Sequence, residues 1–322
     1  MARRYLVTGG AGFIGSNFIR HVIEADRDAE VTNLDLLTYA GVKATVDELD
    51  ASPRHHFVHG DIRDADLVDE VLPGHDAVVN FAAESHVDRS IEGPAVFLDT
   101  NITGTGVLID AARRRKVPTF VQVSTDEVYG SIAHGFATEK HVLDPSSPYS
   151  ASKAGADLLV RSYAVTYGYG AIITRCTNNY GPYQFPEKVI PLFVTNLLAG
   201  RKVPLYGDGG NERDWLHVED HCSAIRLLVE EGTPGEVYNI GAEAQVTNLE
   251  LTRRILEIMG FDESMIEYVT DRPGHDQRYA VDSAKIRALG WSPAHTLGER
   301  LTETVDWYRA RHDWWEPLRV GS

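Results

Sequence analysis

Two short stretches carry residue types that move protons. The apolar run Val121-Gln122-Val123-Ser124 leads into Thr125, Asp126 and Glu127, a hydroxyl followed by two adjacent carboxylates. Side chains alternate faces along a strand, so both acids can serve one site only if the strand ends near Ser124. About one helix downstream, Tyr149-Ser150-Ala151-Ser152-Lys153 sets a phenol and an ammonium four residues apart, which is one turn and one face of a helix. A lysine held beside a tyrosine favours phenolate, so the phenol is expected below its ordinary value of about 10. Such a base can take the proton from a sugar alcohol while hydride leaves the carbon, which points to oxidation. Each motif alone is commonplace, since Tyr-x-x-x-Lys is an ordinary surface pair and Thr-Asp-Glu an ordinary helix start. Their company in one chain is what points to a site.

The elements that must position these groups follow from the patterning. Tyr5-Leu6-Val7 reads as a short buried strand, followed by Thr8-Gly9-Gly10-Ala11-Gly12-Phe13-Ile14-Gly15 and a helix carried by Phe18, Ile19, Val22 and Ile23. Gly9, Gly12 and Gly15 suit a tight strand-to-helix turn whose backbone N–H groups meet a pyrophosphate. Asp35, after the strand Val31-Thr32-Asn33-Leu34, stands where a carboxylate meets an adenosine ribose. It would repel a 2′-phosphate, and Leu36-Leu37-Thr38 offers no arginine to accept one, so NAD is expected rather than NADP. Phe57–Ile62 reads as a third strand with Asp61 and Ile62 at its end, and Ala77–Phe81 as a fourth running into Ala82, Ala83, Glu84 and Ser85. Asn101–Arg115 reads as an amphipathic helix, Thr119–Ser124 as the fifth strand and Ile172–Arg175 as the sixth. Helical patterns follow Lys153 (Leu158, Leu159, Tyr163), open at a Thr247-x-x-Glu250 capping box (Leu251, Ile255, Met259) and end the chain (Leu297, Leu301, Val305, Tyr308). Trp314 and Trp315 read as packing.

This alternation predicts an α/β chain, a doubly wound parallel (Rossmann) sheet with a smaller C-terminal substrate-binding lobe. Residues 1–180 are expected to bind the dinucleotide and carry the catalytic residues. Residues 181–322 are expected to bind mostly substrate, with some strands and helices returning to the first domain.

Composition narrows the partners. Over 322 residues, 31 Lys and Arg stand against 47 Asp and Glu, a formal charge of −16 that disfavours nucleic acid and anionic membrane. Cys176 and Cys222 lie far apart in apolar segments, so a disulfide framework is not expected and a reducing cytoplasm is. The apolar run after Arg3-Arg4 is too short for a signal peptide, and no stretch approaches the roughly 18 apolar residues of a membrane helix. His217-x-x-x-His221-Cys222 has ligand spacing, but nothing nearby in sequence completes a set, so no metal is expected. His55, His56 and His59 read as surface residues. Arg113-Arg114-Arg115-Lys116 reads as a structural helix end.

Taken together, the glycine loop, the hydroxyl after the fifth strand and Tyr149-x-x-x-Lys153 resemble the extended short-chain dehydrogenase/reductase family. Within it, Ser124–Gly130 is similar to the signature of the dTDP-glucose 4,6-dehydratases. So are Ala82–Ser90, Asn178–Gln184, Pro186-Glu187-Lys188 and Arg272-Pro273-Gly274-His275-Asp276, a likeness that covers nearly the whole chain. The resemblance implies a lyase that converts dTDP-glucose to its 4-keto-6-deoxy product with recycled NAD, as a homodimer paired through residues 101–115 and 149–167. It gives Tyr149, with Lys153 and Thr125, the proton at the 4-hydroxyl, Glu127 the C5 proton and Asp126 the departing C6 hydroxyl. It also implies NAD contacts from Phe13, Ile14, Asp35, Thr38, Asp61, Ile62, Ala82, Ser85, Thr100, Tyr149, Lys153 and Asn179. The nucleotide sugar would be held by Ser85, Thr125, Asn178, Lys188, Val189, Pro204, Tyr206, Arg213, Asn248 and His275. A 4,6-dehydratase acting on UDP-glucose, a sugar-nucleotide 4-epimerase and a non-catalytic NAD sensor or scaffold are the competing readings; the epimerase has no use for an acid and a base at C6 and C5.

Overall fold

The computed structural model describes residues 3–271 and 274–319. The first six strands are β1 (Arg4–Thr8), β2 (Glu30–Asp35), β3 (His55–His59), β4 (Ala77–Asn80), β5 (Thr119–Thr125) and β6 (Ile172–Cys176). Six more follow: β7 (Asn178–Tyr180), β8 (Val203–Tyr206), β9 (Glu212–His217), β10 (Val237–Ile240), β11 (Gln245–Thr247) and β12 (Ile266–Val269). Seven strands form one sheet in the order β10-β6-β5-β4-β1-β2-β3, with every pairing parallel. Its strands run nearly apolar because both faces are covered. Tyr5 and Val7 face one layer, with the helices Phe13–Ala25 and Val218–Glu231. Leu6 faces the opposite layer, with Val68, Leu108 and Val160.

A second core lies in the C-terminal half. There Leu297, Leu301, Val305 and Tyr308 form the buried face of the helix Leu297–Ala310, against Ile190, Leu251 and Ile255. Trp314 and Trp315 pack into it, and Trp314 Nε1 donates to Thr45 Oγ1 at 2.9 Å. β10 returns from this half to pair with β6 in the main sheet.

Some elements differ from the sequence reading. β3 starts at His55 and ends at His59, so Asp61 and Ile62 lie beyond the strand. His55 is buried rather than on the surface, with Nδ1 2.8 Å from Asp50 Oδ1 and Nε2 3.2 Å from Asn33 Nδ2. The helix expected from Asn101 begins earlier, at Ala95, and passes through a wide π-helical turn at Leu98–Gly104 before continuing as Thr105–Arg114. Wide turns of this kind inside α-helices are frequent at functional sites. Here it carries Thr100 and Asn101, whose Nδ2 donates to Ser152 Oγ at 2.8 Å and to the Glu84 carbonyl at 3.0 Å. Arg113, Arg114 and Arg115 pair with Asp110 and Asp69, the structural role their position implies.

The helix Pro148–Tyr167 that carries Tyr149 and Lys153 opens with a reciprocal cap. Ser147 Oγ accepts from the Ser150 N–H at 3.1 Å, and Ser150 Oγ accepts from the Ser147 N–H at 3.0 Å. Pro148 fits the first helical turn, where its missing N–H costs nothing. Ser147→Ala is expected to cost about 1 kcal/mol. A thermal melt should show this as a fall of a few degrees, with the native circular dichroism kept.

Candidate active site

In an open parallel sheet, ligands sit beyond the carboxyl ends of the strands where the order reverses, here between β1 and β4. A polar ladder holds those ends in register. Thr8 Oγ1 donates to Asn80 Oδ1 at 2.6 Å, and Asn80 Nδ2 donates to Gln122 Oε1 at 2.8 Å. Above it runs one cavity lined by Gly9, Gly12, Phe13, Ile14, Gly15, Asp35, Thr38, Asp61, Ile62, Ala82, Ser85, Thr100 and Asn179 at one side, and by Thr125, Asp126, Glu127, Tyr149 and Lys153 at the other. All the expected cofactor and catalytic residues therefore meet in a single space.

The glycine turn is built for a close approach. Gly9 has φ +72°, and a side-chain carbon there would lie 2.6 Å from the Ala82 nitrogen; at Gly15 it would lie 2.3 Å from the Gly9 carbonyl oxygen. Gly12 precedes the helix Phe13–Ala25 with no side-chain cap, so its first-turn N–H groups face the cavity mouth without a competing side chain. Such a cradle fits a pyrophosphate. Asp35, at the end of β2, accepts from the Ala11 N–H at 2.9 Å and the Leu37 N–H at 2.7 Å. These bonds tie the glycine loop to the 35–41 turn. Burial raises the Asp35 pKa, and the two N–H donors oppose that rise. The fit is to a dinucleotide with a free ribose 2′-hydroxyl.

At the other side, β5 ends at Thr125 and the chain tightens into a 3₁₀ turn, Asp126–Tyr129, whose first N–H groups are capped by Thr125 Oγ1 accepting from the Glu127 N–H at 3.2 Å. The strand stops one residue later than Ser124, and the turn brings both carboxylates to the cavity wall. Asp126 is buried, and its Oδ2 has no hydrogen-bond partner among the described residues. Burial first, then the charges of Glu127 and Asp214, raise its pKa well above the carboxylate range; Arg213 and the Thr125 hydroxyl oppose this. Asp126 therefore keeps its proton where an exposed acid would lose it.

The tyrosine departs from the sequence expectation. Its pKa is raised well above the ordinary value, by burial first and then by the charges of Glu127, Cys176 and Asp126, with Thr125 opposing. Lys153 is itself buried and has a lowered pKa, and its Nζ donates to the Val123 carbonyl at 2.7 Å. A neighbouring ammonium does not outweigh a dry site with two carboxylates in it.

The residues expected to hold the nucleotide sugar fall into two groups. Ser85, Thr125, Asn178 and Lys188 line the cavity, with Lys188 Nζ donating to the Ser85 carbonyl at 3.0 Å. Val189, Pro204, Tyr206, Arg213, Asn248 and His275 do not line it. Val189 and Asn248 open the helices Val189–Leu198 and Asn248–Met259, while Pro204 and Tyr206 lie on β8 and Arg213 on β9. The His275 ring meets Tyr206 edge-on at 6.2 Å. Buried Arg213 stacks 4.2 Å from the Tyr279 ring centroid and donates to the Asp276 carbonyl at 2.9 Å. Arg272 and Pro273 of the matching motif lie outside the described residues.

The His217-to-Cys222 segment separates. His221 Nδ1 lies 2.9 Å from Asn179 Oδ1, and burial lowers its pKa to about 3, so it braces the cofactor-side asparagine as a neutral ring. Nothing in the local sequence pairs these two. His217 instead gathers with Glu219 and His295. The Arg300 guanidinium already sits against that group, 2.8 Å from Glu219 Oε2 and 2.6 Å from His295 Nε2.

A model of the GDP-mannose 4,6 dehydratase family matches residues 6–304, and the chain belongs to that family. Within it, the likeness is to proteins named dTDP-glucose 4,6-dehydratase. The one from Streptomyces antibioticus is 54% identical over 98% of this chain and 95% of its own length, and that from Escherichia coli is 45% identical over 99% and 97%. The solved structure of the Streptomyces venezuelae dTDP-glucose 4,6-dehydratase, with NAD bound, is 55% identical with a TM-score of 0.96, covering 98% of this chain and all of that one. A UDP-glucose 4-epimerase from Thermotoga maritima shares the fold at 31% identity and a TM-score of 0.89, over 95% of this chain and 99% of that one.

Proposed function

We propose that this chain is a dTDP-glucose 4,6-dehydratase that converts dTDP-glucose to dTDP-4-keto-6-deoxyglucose and water in deoxysugar biosynthesis. The observation that carries this reading is the burial of Asp126 beside Glu127, which raises the Asp126 pKa, on the same wall as Thr125, Tyr149 and Lys153. An epimerase needs a base at the 4-hydroxyl and has no work for an acid and a second base beside it. NAD bound along the glycine turn, Asp35 and Asn179 would supply a positively charged ring that accepts the C4 hydride and later returns it at C6.

Tyr149 takes the proton of the 4-hydroxyl, with Lys153 supplying positive charge and Thr125 a hydrogen bond. The resulting C4 ketone acidifies the C5 proton, which Glu127 removes. Asp126 gives its proton to the C6 hydroxyl, which leaves as water. Glu127 returns a proton to C5 as the ring substituent is reduced, and the proton gained by Tyr149 balances the one lost by Asp126. Opposite tasks for adjacent carboxylates require unequal environments, and the burial of Asp126 provides one.

Residues 1–180 hold the cofactor and carry the chemistry; residues 181–322 mostly hold the nucleotide. There Arg213 and Lys188 would meet the diphosphate, with Asn178, Val189, Pro204, Tyr206, Asn248 and His275 around the sugar nucleotide. Two chains pair through the helices at residues 101–115 and 149–167, the second of which exposes Leu158, Val165 and Tyr167. A Leu158→Asp variant is expected to sediment as a monomer where the parent sediments as a dimer. Among the described residues no helix is long and apolar enough to cross a membrane, and a cytoplasmic location suits the free, buried cysteines.

Gly15→Ala tests the cradle. The added carbon meets backbone that cannot rotate aside, and overpacking of this kind costs about 1–3 kcal/mol. Calorimetry should show NAD bound about ten- to a hundredfold more weakly. The activity itself is tested by incubating the protein with dTDP-glucose and UDP-glucose in parallel and reading the products by NMR. A 4-keto-6-deoxy sugar from dTDP-glucose is expected; a C4 epimer from either would overturn the reading.

A further inference from the structure

The oxidation pair and the elimination pair sit on different elements, Tyr149 and Lys153 on the helix Pro148–Tyr167, Asp126 and Glu127 on the turn after β5. A buried chain of polar contacts joins the two. Asp157, one turn beyond Lys153 and 1% exposed, accepts from Arg175 Nε at 2.9 Å. Arg175 Nη1 donates to the Tyr129 hydroxyl at 2.9 Å, and that hydroxyl donates to Asn239 Oδ1 at 2.8 Å. Asn239 is fixed in turn, its Nδ2 donating to the Ala137 carbonyl at 2.9 Å. Arg175 stands beside Ser124 in the β5–β6 register, and Tyr129 closes the turn that Asp126 opens. The guanidinium also lies 4.9 Å from the Tyr129 ring centroid.

A buried ion pair contributes little net stability compared with apolar residues of the same volume, so packing alone does not account for this arrangement. What the chain of contacts does supply is a fixed distance. C4, C5 and the exocyclic C6 of one hexose are consecutive carbons, and the acids and bases that serve them must reach them from two separate elements in a single bound pose. We infer that Asp157, Arg175 and Tyr129 form a positioning brace that sets the elimination turn against the helix bearing the oxidation pair. This rests on the dehydratase reading above.

Tyr129→Phe keeps the ring and removes the hydroxyl that bridges Arg175 to Asn239. The test is a quenched single turnover of the full-length holoenzyme on dTDP-glucose, with mass spectrometry separating 4-keto hexose that still carries its C6 hydroxyl from 6-deoxy product. Oxidation is expected to stay near the parent rate while elimination slows on the order of 10²-fold, the cost of a small misplacement of reacting groups, so the hydroxylated ketone accumulates. Arg175→Lys, which keeps a cation for Asp157 but cannot fork to Tyr129, is expected to give the same signature and carries the test if Tyr129→Phe does not fold. Both steps at the parent rate, or both slowed by one common factor, would overturn the brace. A parent protein that makes no ketone at all would remove the dehydratase reading, and the brace with it.

Discussion

Replacing Lys153 by methionine lowers turnover by about 10²–10⁴-fold, the range a positioned acid–base group contributes. The reason lies in the balance of charge around Tyr149. Burial, and after it the charge of Glu127, already hold its phenol above the ordinary range, and Lys153 is the ammonium that its own helix brings to the same cavity. Methionine fills the stem's volume without the charge. The base is active when deprotonated, so the rate rises with pH through the Tyr149 pKa, and loss of the cation moves that rise to higher pH. Stopped-flow pH profiles of the oxidation step should show a fallen plateau, a limb shifted to the alkaline side and a KM for dTDP-glucose changed little. A limb shifted to lower pH would contradict this account of Lys153.

Asp126→Asn separates chemistry from stability. The amide cannot protonate the C6 hydroxyl, so elimination is expected to slow by about 10²–10⁴-fold while oxidation persists. The same substitution should stabilise the fold. Burial raises the Asp126 pKa above its unfolded value of about 3.9, so the folded state keeps a proton that the unfolded state releases. At pH below the unfolded value both states are protonated and the group costs nothing. As pH rises from there toward the folded pKa, unfolding is favoured by up to about 1.4 kcal/mol per pH unit, and the penalty then levels off. Asparagine has no proton to release, so the variant's gain in denaturation midpoint should be absent near pH 4 and grow toward neutrality. Equal shifts at both pH values would mean that titration of Asp126 is not the cause.

Much of this is legible in the sequence because it depends on spacing within one or two turns of chain. Gly9, Gly12 and Gly15 declare a turn, Asp35 closes the next strand, and Tyr149 and Lys153 share a helix face by their separation alone. Even the end of β5 followed from requiring that Asp126 and Glu127 serve one site. What could not be read depends on partners far away in sequence. Asn239 is 110 residues from Tyr129, and Asn179 is 42 residues from the His221 that orients it. Neither pair leaves a local pattern, because the sheet order alone brings them together. The direction of the Tyr149 shift is hidden from the sequence for a related reason. One lysine a helical turn away implies a lowered pKa, whereas the outcome is a sum over burial and charge whose proximity only the fold sets.

The claim on which the rest depends is that hydrogen moves from C4 to C6 of one hexose. dTDP-glucose carrying deuterium at C4, turned over in ordinary water and examined by NMR and mass spectrometry, tests it directly. The account predicts a 4-keto-6-deoxy product with the deuterium in its new methyl group. Deuterium restored to C4 of a sugar that still bears its C6 hydroxyl would contradict it.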